Sequence, residues 1–582
     1  MTKANQIIVE RDVPCKVRDG VTLYANIYRP QEEGKYPVLL SRLPYNKNLP
    51  RYSHYYIDPF RMALAGYVVI IQDVRGRFAS EGEFNPLIQE IEDGYDVVEW
   101  AAHLPFTNGK VGMFGLSYYG VTQLYAALAH PPSLKAIFPA MTAGQLRHGL
   151  SSRLGVPELV FLETWFLESI APDYLKRKLG SEYENVKKEI VKDLNNIDEW
   201  HKHLPIKEWP PIKKHPELEK LFHKYIDQDV KSELVTKTPH RSQGLWDIDV
   251  PAYHLAGWYD SHLGTTLMNY KEMKESQNNQ PQKLIVGPWA HGNFDSIIGE
   301  RFFGIHSEGS FIDEKDDITS LHIKWYDQWL KEEEPSDVDQ DDPVKIFVMG
   351  VNKWRSEKEW PLKRTSYTSF YLHSNGNAGK DMESGTLNTT PPENEPADTF
   401  IYDPDNPVPT KGGGTLFFKG KNAGPMDQQE IEKREDVLVY TTPPLEKSVE
   451  VTGPIKMYLW VSTDAPDTDF TAKLVDVFPD GRSFNLTDGI VRMKTQNTRG
   501  SENDQKDKVR QVEIDLWATS NVFLPGHSIR VEVSSSNFPR FAVNPNTGET
   551  TMETSEVVKA VQTVYHDQDY PSFILLPIIP VE

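Results

Sequence analysis

Residues 109–120, GKVGMFGLSYYG, carry the strongest structural signal in the chain. Their apolar run is typical of a buried β-strand, and the helix-like VTQLYAALAH (121–130) follows directly. A strand that turns sharply into a helix at a serine, here Ser117, is typical of a nucleophile elbow, which lifts the hydroxyl above the edge of the sheet. The second glycine, Gly120, lies three residues after the serine instead of two, so the strict five-residue pattern is not met. On its own, the motif also fits a turn serine that caps a helix.

The segments around this motif alternate between strand-like and helix-like patterns. Short apolar runs occur at four places: 21–30, 37–45, 67–76 and 110–117. Between the last two, residues 88–103 place apolar side chains at the three- and four-residue spacing of a helix. Such alternation predicts a mostly parallel sheet covered by helices on both faces. We therefore expect an α/β core whose first part spans residues 1–145.

The pattern changes after this first part, because residues 146–240 are rich in Leu, Trp, Lys and Glu at helical spacing. Strand signals return at 250–260 and 283–292, and the amphipathic segment 321–331 follows them. The sequence thus predicts a helical cap at 146–240, inserted into an α/β core whose second part spans 241–344.

Residues 345–582 have a third character. Alternating stretches such as VKIFVMG, TSFYLHS, KMYLWVS and HSIRVEVSSS suit half-buried antiparallel strands. Turn-rich segments such as 403–414 and 478–483 separate them, and no long helical pattern interrupts them. We therefore expect a C-terminal β-sandwich of jelly-roll type beside the α/β core.

The composition excludes several classes of protein. The 582 residues include 63 Lys and Arg against 84 Asp and Glu, which gives a net charge of −21. This acidity argues against binding to nucleic acid or to anionic membranes, since both need basic patches. The single cysteine, Cys15, excludes an intramolecular disulfide and a cysteine-rich metal site. Because the chain has neither a signal-peptide pattern nor an apolar run of about 20 residues, we expect a cytoplasmic protein. Its oligomeric state stays open, a homo-oligomer included.

A nucleophilic serine needs a histidine base that a carboxylate orients. In α/β-hydrolases these partners follow the serine in the order Asp or Glu and then His, each just past the end of a strand. Asp260 ends the predicted strand YHLAGWYD, and His291 ends the next one, LIVGPWAHG. Although any one of the 17 histidines is a weak candidate alone, the order and the strand-end positions together predict a Ser117–Asp260–His291 triad.

The oxyanion that forms during acyl transfer needs hydrogen-bond donors. The elbow itself places the backbone N–H of Tyr118 for this purpose. Tyr45, in the loop SRLPYNK, offers its phenol as a second donor, although position alone favours an ordinary aromatic packed beside Pro44.

Four aromatic residues are candidates for the walls of a substrate pocket, with core packing as the alternative for each. Trp165 and Phe166 are adjacent on a predicted cap helix, so we expect only one of them to face a substrate. Trp258 and Trp289 stand beside the predicted acid and base. No metal or cofactor site is predicted, because the DTDF and FPDG segments lack calcium-loop spacing and the glycine triplet 412–414 has no following Lys-Ser/Thr.

Several longer motifs resemble one known family. PYNK, DVRGRFASEGEF (73–84), GLSYYG, GWYD and GPWAHG together resemble the CocE/NonD family of serine hydrolases. This family is related to the Xaa-Pro dipeptidyl-peptidases and the α-amino acid ester hydrolases. The resemblance extends through the C-terminal part, in the segments 467–493, 518–527, 534–541 and 571–579. It implies an α/β-hydrolase core with a helical cap and a jelly-roll domain. It also implies Ser117 as nucleophile, Asp260 as orienting acid, His291 as base and Tyr45 in the oxyanion hole.

The activity that this resemblance implies is hydrolysis of a small-molecule ester without metal or cofactor. An amidase or peptidase acting on Xaa-Pro peptides or β-lactam side chains is the alternative within the same chemistry. Ser261, His262 and Leu263 follow the predicted acid where α-amino ester hydrolases carry part of a carboxylate cluster, so that specificity is in doubt. Carbohydrate binding by the β-sandwich is an alternative of another class, which rests on analogy between folds alone.

Overall fold

The computed structural model describes residues 6–144, 152–226, 245–331, 342–381, 383–416, 423–495 and 508–580. Two large sheets dominate it, one of ten strands in the N-terminal part and one of eleven strands in the C-terminal part. The N-terminal strands are β1 (Ile7–Lys16), β2 (Thr22–Pro30), β3 (Tyr36–Leu43), β4 (Val68–Asp73), β5 (Thr107–Leu116), β6 (Leu134–Ala140), β7 (Ser152–Arg153), β8 (Val156–Pro157), β9 (Ala252–Tyr259), β10 (Gln282–Ala290), β11 (Ile297–Ile298), β12 (Arg301–Phe302), β13 (Val344–Val348) and β14 (Lys353–Glu357).

Except for the last one, which lies in the C-terminal part, the described α-helices surround the first sheet or form the cap. In chain order they are α1 (Pro50–Ser53), α2 (Pro59–Leu64), α3 (Glu90–Ala102), α4 (Tyr118–Leu128), α5 (Leu159–Thr164), α6 (Ala171–Leu179), α7 (Tyr183–Asn195), α8 (Ile197–Trp200), α9 (Pro210–Lys213), α10 (Pro216–Ile226), α11 (Leu263–Lys274), α12 (Ile318–Leu330) and α13 (Gln429–Glu432). A π-helix, Trp165–Ile170, joins α5 to α6.

The ten-stranded sheet has the order β1-β2-β4-β3-β5-β6-β9-β10-β13-β14. Neighbouring strands are parallel from β4 to β13, whereas β1, β2 and β14 pair in antiparallel fashion at the two edges. Because parallel strands end at the same edge, the residues that follow β5, β9 and β10 meet there. The predicted mostly parallel α/β core is confirmed.

Both faces of this sheet are buried, as a mostly parallel sheet requires. On β3, Leu40 belongs to the apolar cluster that includes Val97 of α3 and Val121 of α4. Its neighbour Leu39 points to the other face and joins the cluster that includes Trp325 of α12. Successive side chains of one strand thus hold helices on opposite faces of the sheet.

The cap follows β6 and precedes β9. Its described helices, α5 to α10, lie within the predicted insertion, together with the short strands β7 and β8. Apolar residues of the cap share one continuous cluster with the α3–α4 face of the core, so the cap is packed onto the first sheet.

The second sheet consists of β15 (Ser366–His373), β16 (Thr386–Asn388), β17 (Asp398–Tyr402), β18 (Leu438–Thr441), β19 (Val449–Thr463), β20 (Asp469–Val477), β21 (Ser483–Arg492), β22 (Arg510–Phe523), β23 (Ser528–Ser534), β24 (Ala560–Tyr565) and β25 (Phe573–Ile579). Its order is β17-β24-β19-β25-β15-β16-β18-β23-β20-β21, and β22 pairs with β19. Because β21 also lies against β22, the sheet closes on itself into the predicted jelly-roll sandwich.

Residues 344–357 correct the predicted boundary between the two parts. Their alternation assigned VKIFV to the β-sandwich, but these residues form β13, which lies parallel to β10 in the first sheet, and β14 follows. The strand covers the open edge of β10, and four of its five residues are buried.

No helix in the described part of the chain is both long and apolar enough to span a membrane.

Candidate active site

Ser117 lies in a strained turn between β5 and α4. Its φ is +60° and its ψ is −124°, a region that residues with a Cβ rarely adopt. A Cβ on Gly115 would lie 2.4 Å from the Tyr119 carbonyl oxygen, and one on Gly120 would lie 2.6 Å from the Cβ of Thr142. Both glycines are therefore needed for close packing, and the later position of Gly120 does not weaken the elbow.

Hydrogen bonds hold the backbone of Ser117 from both sides. Its amide donates to the Ala140 carbonyl at 3.0 Å, and its carbonyl accepts from the Thr142 hydroxyl at 2.7 Å. The end of β6 thus fixes the direction in which the serine projects. Tyr118 is the first residue of α4, where a backbone N–H has no acceptor within the helix and is available to an anion.

Asp260 and His291 follow the ends of the neighbouring parallel strands β9 and β10. His291 Nδ1 lies 2.7 Å from Asp260 Oδ1, and the carboxylate of Asp260, a residue that is 1% exposed, accepts a hydrogen bond from Nδ1–H. This bond leaves Nε2 as the ring nitrogen with a lone pair. The arrangement is that of a base oriented by a buried acid.

One cavity of about 440 Å³ opens onto both Ser117 and His291. Within the described residues no hydrogen bond joins the serine hydroxyl to the imidazole, and the two side chains meet as walls of this cavity. The other lining residues are Tyr45, Arg51, Tyr52, Tyr55, Tyr56, Leu116, Tyr119, Phe161, Thr164, Trp165, Glu168, Ser169, Gly292, Phe294 and Leu416. Eight of the 17 lining residues are Tyr, Phe or Trp, and of these eight the sequence had pointed only to Tyr45 and Trp165 as site residues.

Tyr45 lines the cavity with its phenol held by the cap. The indole N–H of Trp165 donates to the Tyr45 oxygen at 3.0 Å, and the ring of Tyr52 stacks on Tyr45 with centroids 4.8 Å apart. Burial raises the pKa of Tyr45, so the phenol keeps its proton. Since the oxygen already accepts from Trp165, the phenolic O–H is free to donate to a ligand.

Arg77, in the motif DVRGRF, connects this tyrosine loop to the cap. Its fully buried guanidinium donates to the Pro44 carbonyl at 3.0 Å, to Ile170 at 3.1 Å and to Ser169 at 2.7 Å. The last two carbonyls belong to the π-helix that carries Trp165. The motif is part of the family resemblance, but the sequence predicted no role for this arginine, because the three carbonyl groups that accept its hydrogen bonds are distant in sequence.

Three of the four predicted wall residues do not line the cavity. Phe166 points into the cap, where it packs on Phe222 with ring centroids 5.0 Å apart. The indole of Trp258 donates to the Phe347 carbonyl and that of Trp289 to the Ser307 carbonyl, each at 2.7 Å in the core. Both tryptophans point into the sheet's packing layer, so their place beside the acid and the base in sequence does not bring them into the cavity.

The β-domain reaches this site through the last glycine of the triplet 412–414 and the residues that follow it. A Cβ on Gly414 would lie 2.9 Å from the Asp260 carbonyl oxygen, and Leu416 lines the cavity. The backbone of the β-domain thus comes so close to that of Asp260 at Gly414 that a side chain there would collide with it. From the sequence, Gly414 was only part of a turn-rich segment. The signal that could have identified it is the glycine triplet itself.

His262 lies directly behind the acid and the base. Its ring and that of His291 have centroids 5.0 Å apart, and its Nδ1 lies 2.8 Å from the Ser261 hydroxyl. Burial, with His291 beside it, lowers the pKa of His262 to about 4, so this imidazole is neutral. No carboxylate occupies this place after Asp260, in agreement with the departure from the α-amino ester hydrolase pattern.

Comparisons with known proteins give the family. Residues 19–293 match the family model of the X-Pro dipeptidyl-peptidases (S15 family), and residues 336–575 match that of the X-Pro dipeptidyl-peptidase C-terminal non-catalytic domain. The chain is 39% identical to cocaine esterase from Rhodococcus sp. (strain MB1 Bresler), over 98% of both chains. The chain belongs to the S15 family. The resemblance to CocE/NonD hydrolases predicted from the motifs is confirmed, and this S15 family member is a serine hydrolase.

Two solved structures share the fold of this S15 family member over nearly the whole chain. An aminopeptidase from the marine sediment archaeon Thaumarchaeota archaeon superposes with a TM-score of 0.75 at 23% identity, covering 100% of this chain and 98% of its own. An α-amino acid ester hydrolase gives a TM-score of 0.74 at 23% identity, covering 99% and 97%. At these identities the likeness shows a common fold and nothing about substrates.

Proposed function

We propose that this serine hydrolase cleaves carboxylic esters of small molecules through Ser117, His291 and Asp260, without a metal or cofactor in the reaction. The observation that carries the proposal is the 2.7 Å hydrogen bond between His291 Nδ1 and Asp260 Oδ1. It selects the tautomer whose Nε2 accepts a proton, on a residue that shares a cavity with Ser117. The relationship to cocaine esterase supports an ester as the substrate.

The reaction would proceed in two halves through an acyl-enzyme. Ser117 Oγ attacks the ester carbonyl carbon while His291 Nε2 takes the hydroxyl proton. The Tyr45 O–H and the Tyr118 N–H donate to the oxyanion, and His291 then gives its proton to the leaving alkoxide. In the second half, His291 takes a proton from water, whose oxygen attacks the acyl carbon, and the carboxylic acid leaves as Ser117 recovers its proton.

The cavity favours an ester with at least one aromatic or bulky apolar group. Its volume of about 440 Å³ suits a small molecule, and Tyr52, Tyr55, Phe161 and Trp165 offer ring surfaces. Leu416 completes the wall from the β-domain, which favours a role for that domain in shaping the cavity over independent carbohydrate binding.

A peptidase or amidase activity is the second candidate, and one side chain favours it. Glu168 lines the cavity and would attract the free ammonium group of a peptide substrate. Arg51, however, places a guanidinium nitrogen 3.8 Å from this carboxylate, and the side chains of Arg51 and Glu168 are 69% and 40% exposed. A partly neutralised and hydrated carboxylate holds an ammonium group only weakly, so the ester remains the first candidate.

A substrate panel tests the choice between the two. We expect p-nitrophenyl esters with aromatic acyl groups to give the highest kcat/KM, above Xaa-Pro p-nitroanilides and acylated β-lactam nuclei. Turnover of the anilides at a kcat/KM equal to or above that of the esters would contradict the ester proposal. It would leave the serine chemistry intact.

Replacing Tyr45 with phenylalanine should lower kcat for the best ester by about 10²–10³-fold, because one of two oxyanion donors is lost. The substitution also leaves the Trp165 N–H without its partner, at an expense of about 1 kcal/mol in the free energy of unfolding. Steady-state kinetics and thermal unfolding measure the two effects separately.

Tyr52→Phe is the matched control for this variant. Tyr52 stacks on Tyr45 and lines the same cavity, but it has no place in the proposed oxyanion hole. Its kcat should stay within a few-fold of wild type. Equal activity of Tyr45→Phe and Tyr52→Phe would remove Tyr45 from the mechanism.

A further inference from the structure

Two buried polar atoms behind the proposed triad have no hydrogen-bond partner. They are Asp260 Oδ2 and His262 Nε2, and each residue is 1% exposed. Leaving a buried acceptor and a buried ring nitrogen unpaired is costly, so two such atoms on side chains whose ligand atoms come within 4.8 Å of each other call for a ligand. The triad mechanism does not account for either atom, because it uses Asp260 Oδ1 and does not involve His262.

Asp260 and His262 belong to a compact group of side chains with the donor chemistry of a transition-metal site. Asp260, His262 and His291 each offer a ligand atom within 4.8 Å of the other two, and they are the only such group among the described residues. Two imidazoles and one carboxylate form a donor set that zinc accepts. A tetrahedral ion with bonds of about 2.0–2.1 Å needs donors roughly 3.4 Å apart, so side-chain rotations would have to shorten separations of up to 4.8 Å by as much as about 1.4 Å.

Ser261 is a hydrogen-bond partner of His262 and is not itself a metal ligand. Its hydroxyl lies 2.8 Å from His262 Nδ1 and can accept a hydrogen bond as well as donate one. When a metal takes the lone pair at Nε2, the ring proton moves to Nδ1 and donates to Ser261. A partner of this kind orients metal-bound histidines. The ion would enter through the cavity, because His291 is part of its wall.

We propose that Asp260, His262 and His291 bind a divalent cation of the zinc class, and that the bound ion switches the hydrolase off. The inhibitory half of this inference rests on the proposed function, whereas the binding half does not. A neutral imidazole has a single lone pair. If the ion takes it at His291 Nε2, the base is blocked; if the ion takes it at Nδ1, the proton sits on Nε2, which again cannot accept the proton of Ser117.

Metal binding is tested first, by titrating the chelator-treated full-length protein with Zn²⁺ in a calorimeter and with Co²⁺ in a visible spectrometer. We expect one equivalent of Zn²⁺ to bind and Co²⁺ to show the visible bands of a tetrahedral site. In His262→Gln the affinity for Zn²⁺ should fall at least tenfold, since even the loss of an outer partner weakens metal sites by about 10–100-fold. His254→Gln is the control, because His254 is also fully buried with an unpartnered Nδ1 but lies outside the group.

Inhibition is tested next with the same proteins. Zn²⁺ should inhibit ester hydrolysis by wild type and by His254→Gln, and EDTA should restore their activity. The His262→Gln variant should keep its activity at Zn²⁺ concentrations that fully inhibit wild type. Binding without inhibition would overturn the switch. The absence of Zn²⁺ and Co²⁺ binding to wild type would overturn the site itself, whatever the behaviour of the variants. If no ester is turned over at all, calorimetry still shows whether the metal site exists. A failure of the metal-site proposal can therefore be distinguished from a failure of the proposed function.

Discussion

Replacing Ser117 with alanine should lower kcat for ester hydrolysis by roughly 10⁶-fold and abolish labelling by a fluorophosphonate probe. The probe reacts with serines that a neighbouring base activates, so the label reports the nucleophile independently of the substrate. Alanine keeps a Cβ, so the strained turn at φ +60° is equally strained in both proteins. The free energy of unfolding should therefore change by less than about 1 kcal/mol.

Ser534→Ala provides the comparison for this experiment. Ser534 is a buried serine of the β-domain whose hydroxyl donates to the Asp436 carbonyl, and it lies outside the cavity. This variant should keep both activity and labelling. Labelling and full activity that persist in Ser117→Ala would show that another residue is the nucleophile.

The nucleophile elbow could be predicted from sequence because the residues that form it are close together in the chain. The strand, the serine and the two glycines lie within one short segment, and the close approaches at Gly115 and Gly120 involve Tyr119 and the end of the next strand. Asp260 and His291 were predicted from a weaker pattern, in which each residue follows the end of a predicted strand in the expected chain order. That signal placed the two residues side by side, where the 2.7 Å hydrogen bond joins them.

The cavity wall could not be derived in the same way, because it depends on contacts between distant segments. Leu416 comes from the β-domain, and Trp165 comes from a π-helix that accepts two hydrogen bonds from Arg77, whose third goes to the Pro44 carbonyl. Neighbours in sequence can also diverge in space. Trp258 and Trp289 stand beside the acid and the base in the chain, yet both point into the sheet's packing layer.

The boundary at β13 failed for a related reason. Alternation within VKIFV is compatible with an antiparallel strand, and nothing local shows that its backbone completes the edge of β10. Strand order is a property of the whole sheet, so a five-residue pattern cannot reveal it.

Changing Asp260 to asparagine should lower kcat by roughly 10⁴-fold, the second-largest effect we expect. The asparagine amide can donate to His291 Nδ1, which turns that nitrogen into an acceptor and leaves the ring proton on Nε2. An imidazole protonated at Nε2 cannot take the proton of Ser117. The variant thus keeps the shape of the site while reversing the direction of one hydrogen bond, and steady-state kinetics on the best ester measures the loss.

Asp398→Asn separates this effect from a general loss of stability. Asp398 is also 1% exposed, and its Oδ2 lies 2.9 Å from His566 Nε2, so it forms a second buried Asp–His pair, within the β-domain. Both substitutions replace a buried carboxylate that accepts from a histidine, and both should lower the melting temperature. Only Asp260→Asn should lower kcat at a temperature where each protein is folded. If Asp260→Asn stayed within tenfold of wild type, the carboxylate would not orient the base, and the buried pair at the ends of β9 and β10 would be structural.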